Sequence, residues 1–275
     1  MINSIDQFKE HYPSIKLIPC FRVKDSVMNE IEKEVKQMTE NCQKSLVNSP
    51  DHITNWTKPY GTAIQLSLFN SSGDTSDFST DHNNSQKGKF FVEPNAKNVN
   101  SILKMFEHSV LNFRINGMGK NSGLSPHKES NIRNGWHKCR FHLPVFTSKN
   151  SWVMIGWEKF WLKRGIIYFF NNGLVHSAGN TGEETRYHLV WDTILDDKLY
   201  NEFFNEETME IPYPNLLTRI PKEEINELLY SEPVEVTSYE EQGTGLKNNL
   251  SSRFIFRKLL KGAIRKYRNF QNISS

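Results

Sequence analysis

The chain has 275 residues, of which 37% are hydrophobic, 12% aromatic and 24% charged, a composition typical of globular proteins and unlike that of disordered chains. Its formal net charge of +3 is too small to predict nucleic acid as a partner, and none is expected. The three cysteines, Cys20, Cys42 and Cys139, form no CxxC pair, which argues against both a disulfide framework and a zinc finger.

The N-terminus is polar and of mixed charge, and the chain has no apolar run near the ~18 residues of a transmembrane helix, so a cytoplasmic protein is expected. Two helices are predicted at 25–44, with Asp25 as a cap, and at 95–109. Apolar residues recur there every three or four positions, at Met28, Ile31, Val35, Met38 and Cys42 and at Val99, Ile102, Leu103 and Phe106. Residues 1–109 are therefore expected to form a region of helices and a strand that packs on a core formed by residues further along the chain.

The middle of the chain changes to the two-residue period of strands. Six short segments are aromatic or β-branched and are separated by Gly, Asn and Ser, namely 62–69, 110–116, 140–147, 151–157, 165–170 and 186–195. This pattern predicts a mainly β protein with a double-stranded β-helix (jelly roll, cupin-like) core at 110–196 and flanking α-helices. A sandwich of another topology remains open.

After residue 196 the pattern loosens into an extension and linker at 197–252, with a short helix at 220–231. Residues 253–275 return to helical period as a basic amphipathic helix. Between 253 and 270, seven Arg and Lys residues oppose an apolar stripe, which predicts peripheral contact with an anionic membrane. The alternative is that the apolar side docks on the β core and leaves the charges in water.

His127 and Glu129, in "SPHKES", lie two positions apart as two ligands of one metal ion often do. About one His-x-acidic pair is expected by chance in this composition, and one is present. Taken alone, the pair is more typical of a polar loop than of a metal site.

Two predicted strands each place an arginine and a histidine on one face, because residues i and i+2 of a strand share a face. These are Arg140 with His142 and Arg186 with His188, each pair opposite aromatic and aliphatic neighbours. A solvent-facing side of a sandwich would show the same pattern.

His176 follows an aromatic strand, and Arg186 comes ten residues later. Two histidines and a carboxylate on one face commonly hold iron(II) in oxygenases and leave positions open for a bidentate ligand and oxygen. An arginine fork on the next strand is suited to a ligand carboxylate. With His127 and Glu129, these residues predict such a site.

From about residue 110 to 196 the chain resembles the aspartyl/asparaginyl β-hydroxylase family of iron(II)- and 2-oxoglutarate-dependent dioxygenases. The segments that carry the resemblance are, in order, "SPHKESN", "RFHLPV", "SWVMIGWEKFWLKRG", "YFFNNGLVHSAGN" and "RYHLVWD". The resemblance implies hydroxylation of an aspartyl or asparaginyl residue, or of a related amino acid or peptide, with 2-oxoglutarate and O2 as cosubstrates.

The resemblance also implies the metal ligands. His127 and His176 match the iron-binding histidines of the family, and Glu129 completes the catalytic triad. Animal members have glycine at the position of Glu129, and many bacterial relatives have aspartate. Where the family often has Asp-Asp before the second histidine, this chain has Asn171 and Asn172.

Further roles follow from the same match. Arg186 corresponds to the arginine that pairs with the distal carboxylate of 2-oxoglutarate, and His142 to a residue near its metal-bound end. Asn116 falls where some members have a cosubstrate-binding serine. Arg140 is expected to hold a carboxylate of the substrate or the cosubstrate, and Lys138 is an exposed basic residue that could do the same.

Two other classes remain open. One is a non-oxidative cupin-type metal-binding protein or isomerase, and the other is an interaction module whose basic tail is the functional part. Arg186 distinguishes the first of these from an oxygenase, because a cupin has no need for a cosubstrate carboxylate clamp there.

Overall fold

The computed structural model describes residues 4–41, 59–60, 63–70, 89–90, 96–130, 132–133, 136–205 and 210–234. Within these ranges the helices are α1 (Ile5–His11), α2 (Asp25–Asn41), α3 (Lys97–Met105), α4 (Asp197–Phe203) and α5 (Lys222–Leu228), with a 3-10 turn at Tyr12–Ser14. The strands are β1 (Leu17–Val23), β2 (Pro59–Tyr60), β3 (Ala63–Asn70), β4 (Lys89–Phe90), β5 (Val110–Met118), β6 (Ser122–His127), β7 (Ile132–Arg133), β8 (Trp136–Phe146), β9 (Ser151–Ile155), β10 (Glu158–Phe160), β11 (Ile166–Phe170), β12 (His176–Asn180), β13 (Arg186–Ile194), β14 (Leu217–Thr218) and β15 (Ser231–Pro233).

The strands form two antiparallel sheets. The larger sheet has the order β14-β1-β11-β8-β13-β5-β3-β4, with β7 paired to β8, and the smaller sheet has the order β15-β10-β9-β12-β6-β2. If β5, β6 and β8 to β13 are counted as core strands one to eight, the larger sheet reads six-three-eight-one and the smaller reads five-four-seven-two. This order is that of a double-stranded β-helix, so the predicted fold is confirmed and the other sandwich topologies are excluded.

Helices cover the outer face of the larger sheet. The predicted apolar side of α2 is buried there, with Met28, Ile31 and Val35 all at 0% exposure. The helix begins at Asp25, so Asp25 lies in its first turn instead of capping it from outside. The buried side of α3 is also as predicted, although that helix ends at Met105. Cys42 lies outside the described residues.

All six predicted strands form, but only one of them, β9, lies in the smaller sheet. The two strands of that sheet that carry the histidines, β6 and β12, were not predicted, because they are rich in Gly, Ser and Asn and resemble loops in sequence. Gly179 in β12 has a packing role, because a Cβ there would lie 2.4 Å from the ring of Trp152. Packing against Trp152 thus requires a glycine at a position where a larger apolar residue would have made β12 recognisable as a strand.

Both ends of the described chain join the sheets. β1 extends the larger sheet beside β11, and β15 pairs with β10 at the edge of the smaller sheet.

None of the described helices is long and apolar enough to cross a membrane. The predicted basic helix at 253–275 lies outside the described residues, and the proposed division into four segments stays a prediction.

Candidate active site

His127 and His176 face each other across neighbouring strands of the smaller sheet. β6 and β12 pair these two residues in register, and the ring centroids lie 4.2 Å apart. Nδ1 of His127 lies 2.8 Å from the carbonyl of Ser125, and Nδ1 of His176 lies 2.9 Å from that of Leu174. A carbonyl only accepts, so each Nδ1 carries the proton and each Nε2 keeps its lone pair for a ligand.

Glu129 follows β6 by two residues and brings a carboxylate to the same point. Its backbone N–H donates to the carbonyl of Asn172 over 3.0 Å. Its Oε1 lies 4.0 Å from Nε2 of His127 and 3.7 Å from Nε2 of His176, and the three ligand atoms lie within 4.8 Å of one another. That spacing suits one ion bonded at about 2 Å to each atom, and the donor set is the one that non-heme iron(II) enzymes use.

Three donors hold the far oxygen of Glu129. Oε2 accepts from Nη2 of Arg140 at 2.8 Å, from Nζ of Lys138 at 3.3 Å and from Nδ2 of Asn172 at 3.0 Å. Oε1 accepts from Nη1 of Arg140 at 2.5 Å and faces the two histidines. Burial would raise the pKa of Glu129, but Arg140, His176 and Lys138 outweigh it and hold that pKa well below its usual value. The carboxylate is therefore ionised and is directed through Oε1 at the metal position.

Arg140 is anchored from behind by Asp192, which is 1% exposed. Its Nε and Nη2 donate to the two oxygens of Asp192 at 2.7 and 3.0 Å, and Asn112 donates to Oδ2 at 3.0 Å. Burial alone would raise the pKa of Asp192, but Arg140 and Lys138 lower it far below its usual value. In this structure the guanidinium of Arg140 therefore bridges two carboxylates and positions Glu129. Its predicted role in binding a carboxylate of the substrate stays a prediction.

Lys138 was predicted to be exposed, and that prediction is wrong. It is only 8% exposed, because the two-residue period of β8 places it on the same inner face as Arg140. Its Nζ lies between Glu129 and Asp192, at 3.3 and 3.8 Å. The paired Arg and His residues also face inward, since His142 and Arg186 are 8% and 5% exposed, and the solvent-facing alternative is excluded.

Arg186 has no carboxylate beside it among the residues that the structure describes. Its Nε and Nη1 are buried without a hydrogen-bond partner among the described residues, and no carboxylate of this part of the chain forms an ion pair with it. Burial lowers the pKa of Arg186 to about 10. A buried guanidinium with no counter-charge is costly for the protein alone and is well suited to a carboxylate supplied by a ligand.

Two neutral histidines lie between Arg186 and the metal position. Nδ1 of His142 lies 3.3 Å from Nδ1 of His188, and the ring of His142 stacks on Phe170 with centroids 4.7 Å apart. The ring of Phe170 in turn packs against that of His176, with the ring centroids 5.4 Å apart. Burial and neighbouring arginines, Arg140 for His142 and Arg186 for His188, lower the pKa of both residues well below 6.5. These contacts connect His188, two residues after Arg186 on β13, to His176 without adding charge.

Asn116 pairs in register with His188, so it faces the same pocket. Its Oδ1 is buried and lacks a partner within the described part of the chain. The structure therefore brings all seven predicted site residues onto the facing surfaces of the two sheets.

Sequence reasoning assigned no role to Arg114 or Asp192, and it placed His188 beside Arg186 without giving it one. It named Lys138 only as an exposed residue, and Asn172 only as a departure from the family pattern. The strand residues could have been found by extending the two-residue period from Arg140 and Arg186 along β8 and β13 and onto β5. Asn172 lies in a turn, where no period exists, and its proximity to Glu129 depends on the fold.

Similar folds occur among solved structures, although the sequences are distant. The carbocyclase SnoK from nogalamycin biosynthesis, described as non-heme and alpha-ketoglutarate-dependent, is 7% identical with a TM-score of 0.44 over 70% of this chain and 84% of that one. AviO1 from Streptomyces viridochromogenes Tue57 is 7% identical, with a TM-score of 0.43 over 66% and 90%. The viral collagen prolyl hydroxylase from Paramecium Bursaria Chlorella virus-1 is 8% identical, with a TM-score of 0.39 over 64% and 96%. Likenesses this distant do not bear on the reaction.

Sequence comparison is more specific. No curated protein matches the chain. The family model described as aspartyl/asparaginyl beta-hydroxylase matches residues 26–195, which include both sheets of the core and every ligand of the candidate metal centre. The predicted resemblance is thereby confirmed, and the chain belongs to the aspartyl/asparaginyl beta-hydroxylase family of enzymes.

Proposed function

We propose that this chain is an iron(II)- and 2-oxoglutarate-dependent dioxygenase that hydroxylates an aspartyl or asparaginyl residue, or a related amino acid or peptide. The observation that carries the proposal is Arg186, whose buried Nε and Nη1 have no partner among the described residues, on the sheet that faces the His127, Glu129 and His176 cluster. A triad alone would suit many metal proteins. A triad with a carboxylate-binding cation beside it suits a cosubstrate that chelates iron at one end and carries a carboxylate at the other.

The residues fit the iron that the family implies, and His127, Glu129 and His176 would hold it. When bound, iron(II) couples the oxidative decarboxylation of 2-oxoglutarate, which gives succinate and carbon dioxide, to insertion of an oxygen atom from O2 into a substrate C–H bond. Burial, with His176 nearby, lowers the pKa of His127 to about 4, so its lone pair is available at neutral pH. Glu129 is ionised and held by its three donors.

The remaining residues orient the cosubstrate and exclude water. Arg186 would pair with the distal carboxylate of 2-oxoglutarate, and His142 would lie near its metal-bound end. The rings of Tyr168 and Phe170 are at most 2% exposed and close the inner face beside His142. A dry, preorganised pocket strengthens each ionic contact made inside it.

The charges on the inner face support an acidic substrate. Apart from Arg186, which is assigned to the cosubstrate, Arg114, Lys138 and Arg140 bring three positive charges, whereas Glu129 and Asp192 bring two negative ones. Nη1 of Arg114 donates to Asn112 at 2.8 Å, while its Nε lacks a partner in the described ranges. An excess of one positive charge, which bound iron would increase, favours an aspartyl carboxylate over a neutral side chain.

The test is an anaerobic titration of the metal-free protein with iron(II) and 2-oxoglutarate. The expected result is a visible charge-transfer band in the wild type and no band in His127→Ala, with succinate formation that depends on added substrate lost in the variant. Lys120→Ala, on an exposed ion pair with Glu183, is the matched control. A folded wild type without the band, or full succinate formation by His127→Ala, would contradict the proposal and favour a non-oxidative cupin-type protein.

The membrane contact predicted for residues 253–270 stays a separate prediction. The chain ending at residue 250 should bind anionic liposomes less than the full chain in co-sedimentation. Equal binding by the two proteins would exclude the membrane as a partner of this segment.

A further inference from the structure

His188 is a buried residue whose second nitrogen has nothing to bind. The side chain is 1% exposed, and its Nε2 lacks a hydrogen-bond partner among the described residues. Nδ1 is already engaged with Nδ1 of His142 at 3.3 Å. Buried polar atoms are rarely left unpaired in native proteins, so each such atom calls for an occupant or a reason.

The unpaired atoms are clustered. His188 lies two residues after Arg186 on β13, on the same face, and Asn116 is its neighbour across the strand pair. Nε and Nη1 of Arg186 and Oδ1 of Asn116 are, like Nε2 of His188, buried without partners in the described part of the chain. If His188 served only the protein, its Nε2 would be expected to reach the Asn116 oxygen. Both atoms are instead left unpaired, which is typical of a pocket that a ligand fills.

The distance between Arg186 and His188 suits a carboxylate. Residues i and i+2 of a strand are about 6.8 Å apart, and a carboxylate that accepts one hydrogen bond of about 2.8 Å on each oxygen spans that gap. The anion would thus receive a charged donor from Arg186 and a neutral donor from His188. A neutral imidazole adds no second positive charge to the buried guanidinium.

The tautomer of His188 is fixed by its partner. Only one of the two Nδ1 atoms in the contact between His142 and His188 carries a proton. If His142 donates, Nδ1 of His188 accepts and Nε2 of His188 carries the N–H that an anion requires. A bound carboxylate would therefore select this tautomer of the pair.

We propose that His188 is a second recognition residue for the distal carboxylate of the 2-oxo acid cosubstrate, with its Nε2–H donating beside Arg186 and its Nδ1 accepting from His142. The inference rests on the proposed function, since it names a further residue for the same cosubstrate. His188 is a binding residue in this role and takes no part in bond making.

The test compares two 2-oxo acids that differ only at the distal end. Binding of 2-oxoglutarate and of 2-oxopentanoate, which has a methyl group in place of the distal carboxylate, is measured by calorimetry on the Mn(II)-loaded protein without turnover. The proteins are the wild type, His188→Leu, His188→Gln and the control His137→Gln, whose ring packs on Tyr12 outside the pocket.

The expected result is that His188→Leu weakens 2-oxoglutarate about 10-fold or more, the effect of losing one hydrogen bond to a charged group, and leaves 2-oxopentanoate unchanged. His188→Gln, which keeps an N–H donor, should lose less, and His137→Gln should match the wild type. Unchanged 2-oxoglutarate binding in His188→Leu, or an equal loss for both acids, would overturn the role of His188 while the proposed function stands. A wild type that binds neither acid would overturn the proposed function itself.

Discussion

Replacing Asn172 with aspartate should destabilise the metal-free protein, because the new carboxylate would lie next to that of Glu129. Nδ2 of Asn172 donates to Oε2 of Glu129 at 3.0 Å, and an aspartate would exchange this donor for a second negative charge. Two charges about 4 Å apart repel by ~4 kcal/mol at an effective dielectric of 20. Lys138 and Arg140 offset much of that repulsion, and Glu129 is 32% exposed, so the expected loss in free energy of unfolding is about 2 kcal/mol.

A second variant separates repulsion from the lost hydrogen bond. Asn172→Ala removes the donor without adding charge and should cost about 1 kcal/mol. In Glu129→Gly, a further Asn172→Asp change should cost far less than in the wild type, because the opposing carboxylate is gone. That double variant has the glycine of the animal members and the aspartate that the family often has before the second histidine. On this reasoning, the differences from the family pattern at Glu129 and Asn172 depend on each other, because a glutamate at 129 disfavours an aspartate at 172.

Thermal unfolding of the five proteins with a chelator at neutral pH checks the reasoning. At this chain length 2 kcal/mol corresponds to a fall of roughly 4–8 °C in Tm. The penalty of Asn172→Asp should also shrink as the pH falls, because repulsion raises the pKa of the new carboxyl pair and protonation relieves it. The reasoning is refuted if Asn172→Asp costs no more than Asn172→Ala, or if its cost is unchanged in the Glu129→Gly background.

Three further predictions concern charges at the site. Arg186→Met should raise the Tm of the ligand-free protein by a few degrees, since it removes an uncompensated buried charge, and should abolish stabilisation by 2-oxoglutarate in a thermal shift assay. Asp192→Asn should cost about 3 kcal/mol at pH 7 in urea unfolding. Because the pKa of Asp192 is depressed in the fold, its contribution to the free energy of unfolding is present above about pH 4 and is lost at lower pH. The free energy of unfolding of the variant should therefore depend less on pH in the acid range than that of the wild type. Glu129→Gly should weaken Mn(II) binding at least 10-fold by calorimetry, and undiminished affinity would show that the carboxylate is not a ligand.

The strands of the larger sheet can be predicted from the sequence, whereas two of the core strands of the smaller sheet, β6 and β12, cannot. Strands of the larger sheet bury one face under helices and present the other to the site, so their side chains alternate visibly, as Phe141 and Leu143 alternate with Arg140 and His142. β6 and β12 are rich in small and polar residues, as Gly179 against Trp152 illustrates, and no alternation of apolar and polar residues marks them. The candidate metal ligands on those strands, His127 and His176, were predicted only through their spacing and the family resemblance.

Contacts between distant segments were the part of the site that sequence could not supply. Nothing in the sequence links Asn172 to Glu129, which is 43 residues away, or directs Arg140 towards Glu129 and Asp192 at the same time. These contacts depend on β8, β13 and the turn before β12 meeting around Glu129. Sequence patterns indicate the face on which each side chain lies, but the fold determines which charges become partners.

The network around Glu129 shows what an added carboxylate ligand requires. A partly buried glutamate is easily protonated or displaced unless donors hold it, and here Lys138, Arg140 and Asn172 donate to the far oxygen of Glu129. Arg140 in turn would be an excess buried cation without Asp192 behind it. Each group thus offsets part of the cost of burying the next, and the near oxygen of Glu129 is left facing the histidines, in the position that the proposed metal site requires. It follows that a carboxylate introduced at the glycine position of a relative that lacks the full triad should bind metal only if its lysine, arginine and asparagine partners are introduced with it.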